Sequence, residues 1–263
     1  MDNRSAADPG SLERSLELAR LLASHGARGA GLTELSRATG LPHPTVHRLL
    51  QRLVDQRLAR QLASTRRYAL GPLAFELGLA AAQQFDVRAA CRPALERLAH
   101  ELGDTAYLVM RSGLEAVCVD RQEGPSPIRV FTLEVGSRRP LGLGAAGLAI
   151  LAALPQEERV EVLSLVRAKV LEIGKLPPAE FAASIERCRK KGHSFIRNRV
   201  TLGVSAVGVA IHNALGAPVG AISVAAVDSR LTAARVTALA LVLHREAREI
   251  ERVLKDGGGF YYD

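Results

Sequence analysis

Between residues 33 and 72 the spacing of apolar residues changes twice, and this limits the local fold more than any other feature of the 263-residue chain. Thr33 can cap TELSRAT and Gly40 can stop it, which predicts a short helix. Leu41-Pro42-His43 reads as a turn. Pro44 suits the first helical position, where its missing amide hydrogen leaves no bond unmade. From Val46 the apolar residues fall at 46, 49, 50, 53 and 54, the one-face pattern of a second helix. Thr45, His47, Arg48, Gln51, Arg52 and Asp55 then project from its other face. After Gln56 the period shortens toward two: LARQL, a polar turn ASTR, then RYAL, a small hairpin closed at Gly71-Pro72. Ahead of these, SLERSLELARLLAS places Leu12, Leu16, Ala19 and Ala23 on one stripe of an amphipathic helix over 11–24. Helix, short helix, turn, helix and basic hairpin is the order of a winged helix-turn-helix.

Charge supports that reading locally. The whole chain has 35 Lys+Arg against 27 Asp+Glu, a net +8, which favours an acidic partner without naming it. Residues 31–72 alone hold seven arginines (37, 48, 52, 57, 60, 66, 67) against Glu34 and Asp55, a local +5, whereas lysine is absent until Lys169. Arginine suits forked recognition of phosphate or guanine, although an arginine-rich composition throughout also fits a GC-rich genome. A charged outer face on one helix is ordinarily just solvated surface. Here the turn can set the second helix into a major groove. Thr45, His47, Arg48, Gln51 and Arg52 are donors able to reach base edges or phosphates, and Arg60, Arg66 and Arg67 of the hairpin are placed for phosphate or minor-groove contact. Double-stranded DNA is the expected partner.

The 48% hydrophobic content supports a sizeable core for the remaining length. Residues 73–88, LAFELGLAAAQQFDVR, read as a connecting helix with more apolar positions than one neighbour can cover. Packing on both domains or on a second subunit is expected. AYLVMRSGLEAVCVDRQ (106–122) reads as two strands around a Ser-Gly turn, and IRVFTL (128–133) as a third. Helices are expected at 144–154, 156–171 and 178–191. A long hairpin follows over 203–227 with its bend at Asn213 to Gly216, then a closing helix over 232–255. The fold class is thus an N-terminal winged helix-turn-helix over 1–72, a linker and dimerisation helix over 73–88, an α/β domain with an antiparallel sheet over 89–256, and a mobile tail over 257–263.

Several sequence blocks resemble the isocitrate-lyase-regulator (IclR) family of bacterial transcription factors: SLERSLELARLL, LTELSRATGLPHPTVHRLLQRL, STRRYALGPLAFELG, VGSRRPLGLGAAGLAILAALP, RKKGHSFIRNRVTLGVSAVGVAI and GAPVGAISVAAVDSRL. The set runs in order over nearly the whole chain. The resemblance implies a C-terminal effector domain of GAF-like fold, near-palindromic operators bound by a homodimer or a dimer of dimers, and a small-molecule effector, often an organic acid. Carried over residue by residue, it places the effector pocket at Ala145 and Ala146 on a helix start, Ile128 and Phe131 on an apolar wall, Val204 and Ala206 on the returning strand, and Ser223 and Ala225 on the last strand, with Tyr107 a further candidate. Some relatives are polar at the positions of Ile196, Ala206 and Ala225, which are apolar here. That departure favours a larger, partly apolar effector such as an aromatic acid, its carboxylate at the helix start.

Other chemistries find less support. Gly142-x-Gly144-x-x-Gly147 matches a dinucleotide-binding pattern, but GSRRP precedes it where an apolar strand is needed. Among the seven histidines only His43 and His47 stand four apart, and no HExxH occurs, so neither metal nor cofactor is expected. GVSAVG is one residue longer than a nucleophile elbow, and Ser205 has no assignable His/Asp partners. Asp120 and Glu123 would meet as a carboxylate pair only by accident of folding. Cys91, Cys118 and Cys188 lack CxxC spacing and read as reduced thiols. The polar N-terminus and the absence of a long apolar run predict a cytoplasmic, non-membrane protein. A metabolite-binding cytosolic enzyme and a non-specific DNA-coating protein remain the alternative classes.

Overall fold

The computed structural model describes residues 10–82, 87–127 and 130–256, so the expected tail and Ile128 lie outside the described residues. The chain divides into two compact units, Met1–Phe85 and Asp86–Asp263.

The first unit comprises α1 (Ser11–His25), α2 (Leu32–Thr39), α3 (His43–Asp55), β1 (Ala59–Gln61), β2 (Tyr68–Leu70) and α4 (Pro72–Ala82). Its core joins Leu18 and Leu22 of α1, Leu35 of α2, and Val46, Leu49, Leu50 and Leu53 of α3 to Tyr68 of the hairpin. These are the stripe positions the sequence marks, and burying each leucine contributes about 1.5–3 kcal/mol. The caps differ in detail from the expectation. Thr33 lies inside α2, and the Gly31 amide ahead of the helix donates to Glu34 Oε2 at 2.8 Å. Pro42 precedes α3, making Pro44 its second residue. Strands β1 and β2 pair antiparallel, Ala59 opposite Leu70 and Gln61 opposite Tyr68. At Gly71 a Cβ would stand 2.2 Å from the Arg57 carbonyl oxygen, so only glycine closes the hairpin there.

The second unit is a three-layer α/β/α structure. It holds α5 (Val87–Leu102), β3 (Thr105–Ser112), β4 (Glu115–Gln122), β5 (Arg138–Pro140), α6 (Gly144–Ala153), α7 (Gln156–Gly174), α8 (Pro178–Lys191), β6 (Ser194–Arg197), β7 (Val204–His212), β8 (Pro218–Val227) and α9 (Ala233–Asp256). The sheet order is β5-β4-β3-β8-β7-β6, each neighbouring pair antiparallel. Alternate residues feed opposite layers: Ala106, Leu108 and Met110 of β3 pack with α5 and α9, whereas Tyr107 and Val109 pack with α6, α7 and α8. The β7–β8 bend falls at Asn213 to Gly216, where the Asn213 side chain accepts the Leu215 and Ala217 amides.

Two expectations change. Val87 and Arg88, expected at the end of the connecting helix, belong to α5, whose Cys91, Ala94, Leu95 and Leu98 enter the core of the second unit. Residues 130–133 form no strand. The edge of β4 is taken instead by the segment ending in β5: Gly136 N donates to Cys118 O, Cys118 N to Ser137 O, and Arg138–Pro140 pair with Glu115–Val117. Residues 130–133 become a strap, held by the Tyr107 hydroxyl, which donates to Val130 O at 2.7 Å and accepts the Thr132 amide at 3.1 Å.

Candidate functional site

The first candidate surface is the polar face of α3. Val46, Leu49, Leu50 and Leu53 are buried on the opposite face, which fixes the rotation of the helix. His47, Arg48 and Arg52 are exposed; Thr45 and Gln51 are half-buried. Gln51 Nε2 sits 3.4 Å from the Tyr68 hydroxyl and Arg52 Nη1 3.5 Å from Ser11 Oγ, both long, weak contacts. On the hairpin, Arg60 and Arg66 are exposed, and Arg66 occupies the left-handed region at φ 59°. Arg48, Arg60 and Arg66 enter no ion pair among the described residues. Arg37 on α2 is exposed in the same way, an arginine not singled out in the sequence.

Arg67 is placed differently. Its guanidinium donates to the Gly29 carbonyl at 3.0 and 3.2 Å and to Glu34 Oε2 at 2.6 Å. Arg57, just before the hairpin, pairs with Glu76 of α4 at 2.9 Å. The local positive charge is thus split between internal ties and a free set: Arg37, Arg48, Arg60 and Arg66 face outward without a carboxylate among the described residues. Unpaired guanidiniums beside an exposed donor row fit a phosphate-lined partner.

The second candidate is a cavity in the other unit, with about 50 Å³ open to the centre of a water-sized sphere within about 590 Å³ of atom-free space that includes solvent at its mouth. It lies over the start of α6, with Tyr107 of β3, Ile196 of β6, Val204 and Ala206 of β7, and Ser223 and Ala225 of β8 around Ala145 and Ala146. Eight of the ten expected positions therefore meet in one cavity. Phe131 does not line it: this residue is 54% exposed, with the Arg121 guanidinium 4.5 Å above its ring. Its neighbours Thr132 and Leu133 on the strap line the cavity instead.

Close approach of α6 to the sheet sets the cavity floor. A Cβ at Gly208 would meet the Ala145 carbonyl carbon and oxygen at 2.9 Å, and Ser194 Oγ donates to Ala145 O at 2.7 Å. No side chain caps α6 and its first turn has no acid, so its first amides remain available to a ligand acceptor. Sequence reading missed Thr132, Leu133, Val200, Thr201, Ser205 and, above all, Arg139. Strand alternation across Arg138-Arg139 is the signal that could have found it. Arg138 pairs with Glu115 at 2.7 Å, whereas Arg139 turns to the cavity, where burial pulls its pKa below the ordinary guanidinium value.

The remaining motifs resolve into structural roles. Gly142 and Gly144 lead into α6 at φ 93° and 75°, in a sheet with antiparallel pairing rather than the parallel unit a dinucleotide fold needs. Ser205 Oγ donates to Asp228 Oδ1 at 2.5 Å, and Arg197 holds the same carboxylate. Asp120 is buried, with Arg88 and Arg92 each 3.3 Å away, and Glu123 pairs with Arg121. Among the described residues, no three His, Cys, Asp or Glu side chains gather as a metal site, and no helix is long and apolar enough to cross a membrane.

Comparison with known proteins gives the two units the same order. Residues 11–63 match the IclR helix-turn-helix domain, and residues 79–252 match the bacterial transcriptional regulator IclR C-terminal domain. The chain is similar to the acetate operon repressor of Salmonella typhimurium, at 30% identity over 246 residues covering 91% of this chain and 88% of that protein. It is equally similar to the transcriptional repressor IclR of Escherichia coli, at 30% over 243 residues, 91% and 88% of the two chains. The crystal structure of an IclR transcriptional regulator from Alicyclobacillus acidocaldarius superposes with a TM-score of 0.73 at 25% identity, covering 94% of this chain and 99% of that one. A winged DNA-binding unit followed by a sheet domain with a cavity over α6, matched along its length by such proteins, belongs to the IclR family of DNA-binding bacterial transcriptional regulators.

Proposed function

We propose that this regulator sets α3 into the major groove of a near-palindromic operator, with Thr45, His47, Arg48, Gln51 and Arg52 reading bases and adjoining phosphates and Arg60 and Arg66 of the hairpin on the backbone. The observation that carries the reading is the division of α3 into a face buried at Val46, Leu49, Leu50 and Leu53 and a donor row free of ion pairs among the described residues. Arg67 serves this surface indirectly, by fixing the hairpin against α2. In this reading α4 is the dimerisation element. Phe75 and Leu79, four apart on one face of α4, and Leu77 on the opposite face are 69%, 55% and 56% exposed, apolar surface that a second copy would cover. A homodimer, or a dimer of dimers, then matches the two-fold symmetry of the operator.

The effector of this reading is a partly apolar organic acid bound in the α6 cavity, with its carboxylate at the start of the helix. The apolar wall of Ile196, Val204, Ala206 and Ala225 and the uncapped first turn of α6 support it. The protein acts by binding, without turnover, in the cytoplasm where the chromosome lies. The names of the similar relatives support repression as the sign of regulation.

The test is selection of bound fragments from the host genome by the purified full chain, followed by gel retardation with and without metabolites of the neighbouring genes. Retardation of a discrete palindromic site, altered by an acid that is recovered unchanged, is expected. Retardation without sequence preference and without ligand response would make this a coating protein; conversion of the metabolite would make it an enzyme.

A further inference from the structure

Arg139 is the one charged side chain lining the α6 cavity among the described residues. A guanidinium among aliphatic walls is unfavourable unless an anion or a full set of acceptors meets it. Arg138, its neighbour on β5, has the ordinary solution, with Glu115 Oε2 at 2.7 Å and Ser112 Oγ at 2.9 Å. Arg139 has a single protein acceptor, the Thr132 carbonyl at 2.5 Å on the strap, and no carboxylate among the described residues. Most of its donors are therefore left for something else. Its Nη1 stands 3.7 Å from where a Cβ on Gly144 would lie, which sets the guanidinium beside the first turn of α6. Positive charge and free amides thus converge on one end of the cavity, and the other end is Ile196, Val204 and Ala206.

We propose that Arg139 is the specificity-determining residue of the cavity, and that it selects a monoanionic acid whose single carboxylate bridges its guanidinium and the α6 amides while an uncharged body fills the apolar end. This rests on the acid-effector reading above and adds the residue that reads the charge. Arginine is suited to the role because it holds a planar carboxylate through two parallel hydrogen bonds. The Thr132 carbonyl orients it, and Tyr107 in turn holds Thr132 through its amide. A second carboxylate on the ligand would find no cation at the apolar end, so dianions are rejected by the same arrangement that accepts monoanions.

The experiment is calorimetric titration and thermal melting of the full chain with benzoate and hexanoate, their neutral isosteres benzamide and hexanamide, and terephthalate as a dianion. In the wild type, at least one acid binds and raises the melting temperature while its amide and terephthalate bind at least about tenfold more weakly. Arg139→Met weakens the acid about ten- to hundredfold, the usual effect of removing a hydrogen bond to a charged group, and Arg139→Lys retains part of the preference for acid over amide. Because no protein ion pair is lost, the ligand-free melting temperature of Arg139→Met holds or rises. Equal binding of acid and amide, undiminished acid binding by Arg139→Met, or terephthalate binding as well as benzoate would overturn the assignment while leaving an acid effector in place. A fall in the ligand-free melting temperature, with an unchanged acid-to-amide ratio in Arg139→Lys, would make Arg139 a structural residue. If neither acids nor amides bind while operator retardation persists, the acid-effector reading itself fails.

Discussion

Arg67 Nη2 lies 2.6 Å from Glu34 Oε2, so the arginine that ends the hairpin turn is tied to the first turn of α2. Glu34 also accepts the Gly31 amide at 2.8 Å. That backbone bond first, and the Arg67 charge after it, hold the Glu34 carboxyl below the ordinary carboxylate range. Because the folded pKa is depressed, the contribution is complete above the carboxylate's unfolded pKa and is lost as pH falls through the folded value. Arg67→Ala is therefore expected to loosen the hairpin. Hydrogen exchange at the Tyr68 and Ala30 amides, which bond each other's carbonyls across this junction, should speed up in the variant at neutral pH, and in the wild type only on acidification below the carboxylate range.

Arg48 and Leu50 are two residues apart on one helix and carry opposite functions. Arg48 is exposed, whereas Leu50 is fully buried. Arg48→Ala should leave the melting temperature nearly unchanged and reduce the slope of log operator affinity against log salt by about 1 unit. Leu50→Ala should lower the stability of the first unit by about 2–5 kcal/mol. Arg67→Ala, with its guanidinium already engaged, should change the salt slope by less than Arg48→Ala. Equal slopes for the two arginine variants would place Arg67 on DNA after all.

How far the sequence reveals such roles depends on which force decides each position. Periodicity exposes α3, because apolar burial alone settles which side of that helix is wet. The hairpin is legible for the same reason, as are the helices from α6 to α9. Residues 128–133 mislead because β propensity favours a strand there, whereas the tertiary structure awards the β4 edge to residues 136–140 and gives Val130 and Thr132 a hydroxyl partner, Tyr107, over twenty positions away in sequence. In α5, Pro93 lies inside the helix on its exposed side, a residue that speaks against a helix in the sequence although the buried stripe from Val87 through Cys91, Ala94, Leu95 and Leu98 runs unbroken. Eight cavity residues follow from resemblance to relatives, but Arg139 does not. Alternation says that one of two adjacent arginines turns inward, and the pairing of β5 on β4 decides which.

Ala206 offers a way to close the cavity without disturbing the fold. It lies on β7 opposite Ile196 and Ala225, facing the empty space over α6. Overpacking a filled core costs about 1–3 kcal/mol, but here the added methyl groups of Ala206→Leu enter open volume, so the melting temperature should change little. The variant should retard operator DNA as the wild type does and lose its response to the effector. Loss of ligand response together with loss of DNA binding would mean that the substitution acts through folding.

The three thiols should report on opening of the second unit. Cys91, Cys118 and Cys188 are 1%, 1% and 5% exposed, and burial pushes each pKa up to about 12. Only the thiolate attacks a disulfide reagent, and at pH 8 a group of that pKa is ionised about one part in ten thousand. Native protein is therefore expected to give no fast equivalent with an aromatic disulfide, and denatured protein all three. Slow labelling should follow opening of the unit. Cys118 and Cys188 pack on the α6 side of the sheet and Cys91 on the α5 and α9 side. A bound acid therefore slows Cys118 in proportion to its concentration over its Kd. Cys91 slows by the same factor only when the two layers open as one cooperative unit, so the ratio of the two rates, read by mass spectrometry, measures whether effector binding is felt across the sheet.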